Sequence, residues 1–490
     1  MARQQPRIIN IDDYRGGLNQ RDSRIKIGDN EAAELVNFIF DDDGSLSKRK
    51  GSSKYNSSVI AASPLHSLYR YVKSATDFKE LLAVVASTLY KGNDGAGTFS
   101  SVGALTSAND ATFLTWKDIC FIANGTVFKT YNGTTMADVA GTPPIGKYIV
   151  FHKSRIYVAG NTSSPNRLYF SDVDSYTSWT PGSNYVDIRS DDGDEITAIS
   201  PLDGGLMIYK HNSIWMLAGT DSTNFFLTPV IDGIGCYANR SLVSYGGSHY
   251  FLHRTGVYIY NGGKVHKISD KVEKTIYEIP DAYIGNAAGV VYKERYYLSY
   301  TQLGETQNKR ILVFDTRYGG WSVFSGINAR VFSLWESFRD LGELYSGDSV
   351  TGFAWESDTG VDDDGSDISC LYTSKNFDMG ISTIQKHVLY CFLSYLEINS
   401  TLNMVFRGER ETSGVITYDL ASVSGGILDS FMLDTDILGE ILEAFKEKSV
   451  GDIVGRNIRV SISEESSKSL SVYGMGFEYN ISSPEDRRIE

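Results

Sequence analysis

At 490 residues with 41% apolar content, the chain is long enough for two or three domains and a large core, which excludes a disordered polymer. A net charge of -14 argues against tight nucleic-acid binding, which draws its affinity from cations that neutralise phosphates. Residues 1–15 hold no secretory apolar stretch, and no run approaches the ~18–20 apolar residues of a spanning helix, so the expectation is a soluble protein folded in a reducing compartment.

Aromatics make up 12% of the chain, with 31 Tyr and 23 Phe against 10 Pro, and this balance leans toward β-structure, where rings pack on pleated surfaces. Residues 1–60 read as an arm. Asp29 or Asn30 caps a short predicted helix through Val36, with Ala32, Leu35 and Val36 at helical spacing, and residues 37–40 and 46–50 flank the turn Asp43-Gly44 as a hairpin. The apolar set of the arm is too small for a core of its own, so the arm is expected to pack on the flank of the next domain or on a neighbouring copy.

From residue 61 to about 360 the chain repeats one unit: apolar run, tight polar turn, apolar run, further turn. The clearest pair spans residues 204–268, where 206–209 turns at His211 into 213–217, and 250–253 turns at Arg254 into 257–260 before Asn261-Gly262. Asn-Gly between short aromatic and β-branched runs predicts a type I′ hairpin, in which both central residues take positive φ. Central turns fall near Ser87, Lys117, Ser154, His211, Arg254, Lys293 and Asp348, at spacings that scatter around the roughly 40 residues of a propeller blade. The predicted fold is therefore all-β: a propeller of six or seven blades, with an array of β-sandwiches as the alternative. Trp215 and Tyr258 are expected to be buried between blades. Residues 361–490 read as a separate acidic, sandwich-like domain with one short helix near 438–446, and they carry 11 Lys and Arg against 22 Asp and Glu.

The search for chemistry returns little. Gly347-Asp348-Ser349-Val350 resembles an esterase nucleophile block but lies in a late β-turn. The triplets before Gly44 and Gly365 lack the spacing of a calcium loop. His249 and His253 stand i and i+4 on one predicted strand, about 13 Å apart and too far for one metal. Cys120, Cys236, Cys370 and Cys391 are widely separated and read as free buried thiols. No cofactor, no metal and no catalysis are expected. The six Trp read as core residues in preference to sugar platforms.

A family resemblance carries the reading further. Gly16-Gly17-Leu18-Asn19, Ile27-Gly28-Asp29-Asn30-Glu31-Ala32, Asn37, Asp43-Gly44 and Arg49-Lys50-Gly51 resemble the opening of bacteriophage tail nozzle proteins, also called tail tubular protein B or stabilisation proteins. The likeness continues through Tyr169-Phe170-Ser171-Asp172, residues 206–219, Gly256-Val257-Tyr258 and residues 373–380 with Lys386. It implies a structural virion protein that forms a ring, usually of six copies, below the portal and adaptor of a short-tailed phage, conducts the genome and in many members closes a gate against its loss. The implied partners are further copies of the chain, the tail adaptor, other tail proteins, tail fibres and passing double-stranded DNA without sequence recognition. No membrane insertion is implied, and the protein would be assembled in the host cytoplasm. For assembly contacts with an acidic neighbour the basic residues of the arm are candidates: Arg15, Arg21, Arg24, Lys26, Lys48, Arg49 and Lys50. For an electronegative lumen or rim that lets DNA slide, the candidates are Asp362, Asp363, Asp364, Glu440 and Glu443. The alternative function is a propeller that binds or cuts cell-surface polysaccharide.

Overall fold

The computed structural model describes residues 7–76, 78–93, 97–335, 342–396, 400–420 and 443–481. It divides into two compact units, one of residues 53–312 and 327–357, the other of 1–52, 313–326 and 358–490. This differs from the expected order of arm, propeller and C-terminal domain, because the arm shares one unit with the C-terminal strands.

The first unit is a β-propeller. Five four-stranded antiparallel meanders follow one another at 65–104, 112–138, 148–187, 196–232 and 243–267. A sixth four-stranded sheet joins Ala329–Trp335, Glu343–Asp348 and Ala354–Ser357 to the early strand Ser52–Lys54. Ala288–Tyr292, Arg295–Thr301 and Asn308–Asp315 begin a seventh meander, and the chain leaves the unit within the last of these, after Leu312. Six or seven blades were expected, and six stand as separate sheets.

Strand alternation builds the core, because one face of each sheet meets the next sheet. Tyr71, Leu82, Val84 and Leu89 of the first meander pack on Cys120, Ile122 and Tyr131 of the second. Tyr157, Leu168 and Phe170 of the third meet Leu206, Ile208 and Leu217 of the fourth. Each such side chain, once buried, contributes about 1.5–3 kcal/mol, so a sheet that is marginal alone becomes stable when stacked. Tyr258 is buried between the fourth and fifth meanders as expected, whereas Trp215 is only partly buried and packs against the third and fourth. The ring closes where Tyr55 N donates to Ala354 O at 2.9 Å and Asn56 Oδ1 accepts Ala354 N at 2.8 Å, tying residues before the first blade to the last.

The hairpin chemistry is not the one the Asn-Gly pairs suggested. At Asn124-Gly125, Asn132-Gly133 and Asn261-Gly262 only the glycine takes positive φ. Asn124 Oδ1 instead accepts the amides of Thr126 and Val127, each at 3.0 Å, an Asx turn that holds the loop. Both central residues are left-handed at Lys117-Asp118 (51° and 60°), Lys153-Ser154 (44° and 59°) and Lys293-Glu294 (46° and 58°). These are the hairpins that join the first and second strands of their meanders, where the type I′ turn matches strand twist. Among the described residues the single α-helix, Glu273–Tyr277, lies in this unit.

The second unit is a β-sandwich. One sheet runs Glu443–Gly455, Lys386–Leu396, Ser471–Ile481, Leu46–Lys48, Phe38–Phe40, with Arg7–Ile11 paired to Ser471–Ile481. The other orders Trp321–Ser325, Glu31–Val36, Ile368–Ser374, Arg459–Ser466, Thr401–Arg407 and Ile416–Asp419. They face each other through Phe406 and Phe477, ring centroids 5.5 Å apart, and through Cys391 Sγ, 3.0 Å from the Tyr418 hydroxyl. All four cysteines are free and buried.

Two expected helices are corrected here. Residues 31–36 are a strand, and its pairing to Ile368–Ser374 shifts register between Ala32 and Glu34. The bulge puts two consecutive alanines inside before Leu35, so buried positions 32, 33 and 35 imitate helical spacing. Residues 443–446 open the strand Glu443–Gly455 and are not helical, because they pair with Ser394 to Leu396 and their neighbours. The rest of that expected helix, including Glu440, lies outside the described residues. Among the described residues no helix is long and apolar enough to cross a membrane.

Candidate functional site

The first strands of successive meanders begin together at one end of the propeller axis. Residues at or just before those starts line a cavity of about 580 Å³, among them Asp110, Thr112, Lys147, Tyr148, Glu195 and Arg330, with Asn239 and Arg240 from the turn that precedes the fifth meander. A second cavity of about 300 Å³ is lined by residues further along the same strands, including Phe113, Ile149, Ile199 and Val331, with Tyr69 from the first strand of the first meander. Ala111, Thr112, Tyr148, Asn239 and Arg240 border both. The larger cavity is lined mainly by polar and charged residues, and the smaller one carries more apolar side chains.

Charge concentrates on Asp110. Its Oδ2 lies 3.0 Å from Arg240 Nη1, and its Oδ1 lies 3.0 Å from Arg330 Nη2, 3.3 Å from Arg330 Nε and 3.3 Å from His66 Nδ1. Burial opposes ionisation of this carboxyl, but Arg240, the His66 hydrogen bond and Arg330 outweigh it and hold the pKa well below the usual carboxylate range. Arg240 also donates to His66 O at 3.1 Å and Asn286 O at 3.4 Å, and burial draws its own pKa down against the pull of Asp110. At Tyr148, which borders both cavities, burial and then Glu195 push the hydroxyl up. His211 meets Asp194 at 2.7 Å; burial would raise the pKa of that carboxyl, yet the His211 hydrogen bond and the Asn212 amide bring it to about 2. Such an arrangement offers charged and hydrogen-bonding groups to the cavity. Among the described residues no group of three or more His, Cys, Asp or Glu could hold a metal ion.

The residues singled out by sequence lie elsewhere. His249 and His253 are buried: His249 bonds the Tyr209 hydroxyl at 2.7 Å and His253 bonds Thr255 Oγ1 at 2.8 Å. Ser349 is buried and donates to Asn308 O at 2.6 Å, which makes it a structural hydroxyl. Two of the assembly cations are internal to their unit. Lys48 Nζ sits 2.7 Å from Glu464 with side chains 1% and 0% exposed, and Arg49 bonds Asp363 at 2.5 and 3.0 Å. Lys48 and Arg49 are therefore corrected from surface contacts to buried partners, and Asp363 from a lumen acid to the counterion of Arg49. Arg15 pairs with Asp13 and Arg24 with Glu34, while Arg21, Lys26 and Lys50 are exposed. Asp362 accepts the Gly365 amide at 2.8 Å, and Asp364 is exposed.

Sequence reasoning missed His66, Asp110, Arg240 and Arg330, because nothing local joins residues so far apart along the chain. A usable signal was present, since each is a charged or titratable side chain at or just before the first strand of a meander.

No family model matches the chain, and no curated protein matches it. Among solved structures it is similar to PorZ, a bacterial surface component of the type-IX secretion system of Porphyromonas gingivalis, at 12% identity and a TM-score of 0.40 over 67% of this chain and 44% of that one. The extracellular domain of the one-component system BT4673 from B. thetaiotaomicron gives 12% identity and a TM-score of 0.45 over 79% and 58%. The Neurospora crassa Pan2 WD40 domain gives 11% and 0.39 over 66% and 98%. The chain thus spans about half the length of the first two, and no residue role or activity is carried over from any of them.

Proposed function

We propose that this chain is a structural protein of a bacteriophage tail, a nozzle subunit that assembles into a ring, conducts and retains the genome, and performs no chemistry of its own. What supports the reading is the resemblance to nozzle proteins together with where its motifs meet. Asn37, at φ 58°, accepts Arg49 Nε at 3.0 Å on Oδ1, while its Nδ2 donates to Ser369 O at 2.7 Å and Ser325 Oγ at 2.9 Å. A Cβ on Gly51 would lie 1.7 Å from Asp362 O, and one on Gly17, at φ 68°, 2.5 Å from Trp321 N. The arm motif is therefore a set of residues that the sandwich needs in order to close, and the later motif residue Lys386 is likewise buried, donating to Arg456 O at 2.9 Å.

In this reading the partners are further copies of the chain, the tail adaptor and other tail proteins, and the protein resides in the virion tail. The exposed Arg21, Lys26 and Lys50 are assigned to contacts with acidic neighbours, and the overall charge of -14 lets DNA slide without sequence recognition. The glycan-binding alternative predicts a working monomer. Electron microscopy of the purified full chain tests the choice: closed rings with a central passage are expected, and isolated single chains at every concentration would reject the nozzle.

A further inference from the structure

We propose that the larger, polar cavity binds a small carboxylate-bearing, hydroxylated molecule, with uronic-acid monosaccharides as the ligand class. The inference does not depend on ring formation. Charge at the site is unbalanced: two guanidinium groups, Arg240 and Arg330, share one carboxylate, Asp110. Burial disfavours the charge of Arg240 against the pull of Asp110, and the neighbouring Arg330 disfavours it further.

Arg330 spends Nε and Nη2 on Asp110, and among the described residues Nη1 is left for another acceptor. Lys147, exposed at the rim, is a third cation of the lining, and Glu195 is the second acid. Three cations against two carboxylates leave room for one negative charge, to which Arg330 Nη1 and the Lys147 ammonium can each give a single charge-assisted hydrogen bond.

The rest of the lining sets the class of molecule. The Asn239 amide borders both cavities, and with the Tyr148 hydroxyl and the Glu195 carboxylate it supplies donors and acceptors for hydroxyl groups. A volume of about 580 Å³ lies in the range of small-ligand sites and exceeds what an inorganic anion fills. Glu195 also disfavours a dianion, which sets a monocarboxylate apart from phosphate.

Isothermal titration calorimetry of the purified full chain at low salt, with glucuronate, glucose and inorganic phosphate as probes, tests the proposal. Glucuronate is expected to bind with a Kd of about 1 mM or tighter, and glucose and phosphate at least about tenfold more weakly. Arg330→Gln should weaken glucuronate about tenfold or more while Arg240 still neutralises Asp110. Should that variant misfold, Lys147→Gln at the exposed rim should weaken it about threefold. Absence of glucuronate binding to the wild-type chain overturns the proposal. So does glucose or phosphate binding as tightly as glucuronate, or a folded Arg330→Gln variant that binds unchanged.

Discussion

The propeller and the sandwich are both all-β, yet different chemistry holds them. Between consecutive blades much of the contact is apolar and joins strands that are near neighbours in sequence, as where Tyr209 packs with Phe251 and Tyr258, while the charged network on Asp110 ties distant blades at one end. In the sandwich, buried polar nodes join segments hundreds of residues apart: Lys48 reaches Glu464, and Asn37 reaches Ser369. A repeated meander needs only alternation and turns, and it tolerates substitution because each interface is one of several. The sandwich adds to its apolar core a few buried polar bonds between distant segments, and the Lys48–Glu464 pair among them is charge-assisted.

The largest expected break of this comparison is Lys48→Met. Glu464 would keep the Ser400 hydroxyl at 2.6 Å but lose its cation, leaving an uncompensated buried carboxylate, and chemical denaturation should show a loss of about 3–5 kcal/mol. Adding Glu464→Leu should restore much of that stability, since a buried pair replaced by apolar groups is often neutral. If Lys48→Met alone is neutral, the node contributes nothing.

Acid should separate the two units next. Burial, and at His253 also Arg254 and His211, draws the pKa of His249 and His253 down to about 4. Both are neutral in the folded propeller, and the unfolded chain takes up their protons first. Their contribution is full above the unfolded value near 6.5 and is lost as the pH falls through 4, by about 3 kcal/mol for each fully shifted group. Urea midpoints at pH 7 and 4.5 should therefore fall for the wild type and fall less for His249→Gln. An equal fall in both would remove His249 as a cause.

The smallest effect is a gain. Ser154 holds φ 59° in the 153–154 hairpin, and Ser154→Gly should relieve left-handed strain, raising the unfolding free energy by about 0.5 kcal/mol. A loss would mean that the serine side chain supports the turn.

The propeller was legible because its signal is local: alternating apolar runs with a turn between them name a meander whatever its neighbours do. The turn chemistry was less legible, since Lys117-Asp118 looks like an ordinary polar pair until inter-strand twist forces both residues left-handed. In the arm, a β-bulge imitated helical spacing over residues 31–36. Lys48 and Arg49 looked like surface charge because their partners, Glu464 and Asp363, stand more than 300 residues away. The axial network around Asp110 was hidden for the same reason, since radial packing, not sequence proximity, brings His66, Arg240 and Arg330 to one carboxylate. Because strands of the arm belong to both sheets of the sandwich, removing residues 1–50 should unfold that unit.

Native mass spectrometry of the purified full chain tests the proposed nozzle most directly. A ring of six copies of the 54.2 kDa chain is the expected species, sensitive to substitution of Arg21, Lys26 and Lys50 together. A single species of one chain, unchanged from low to high protein concentration, would contradict it.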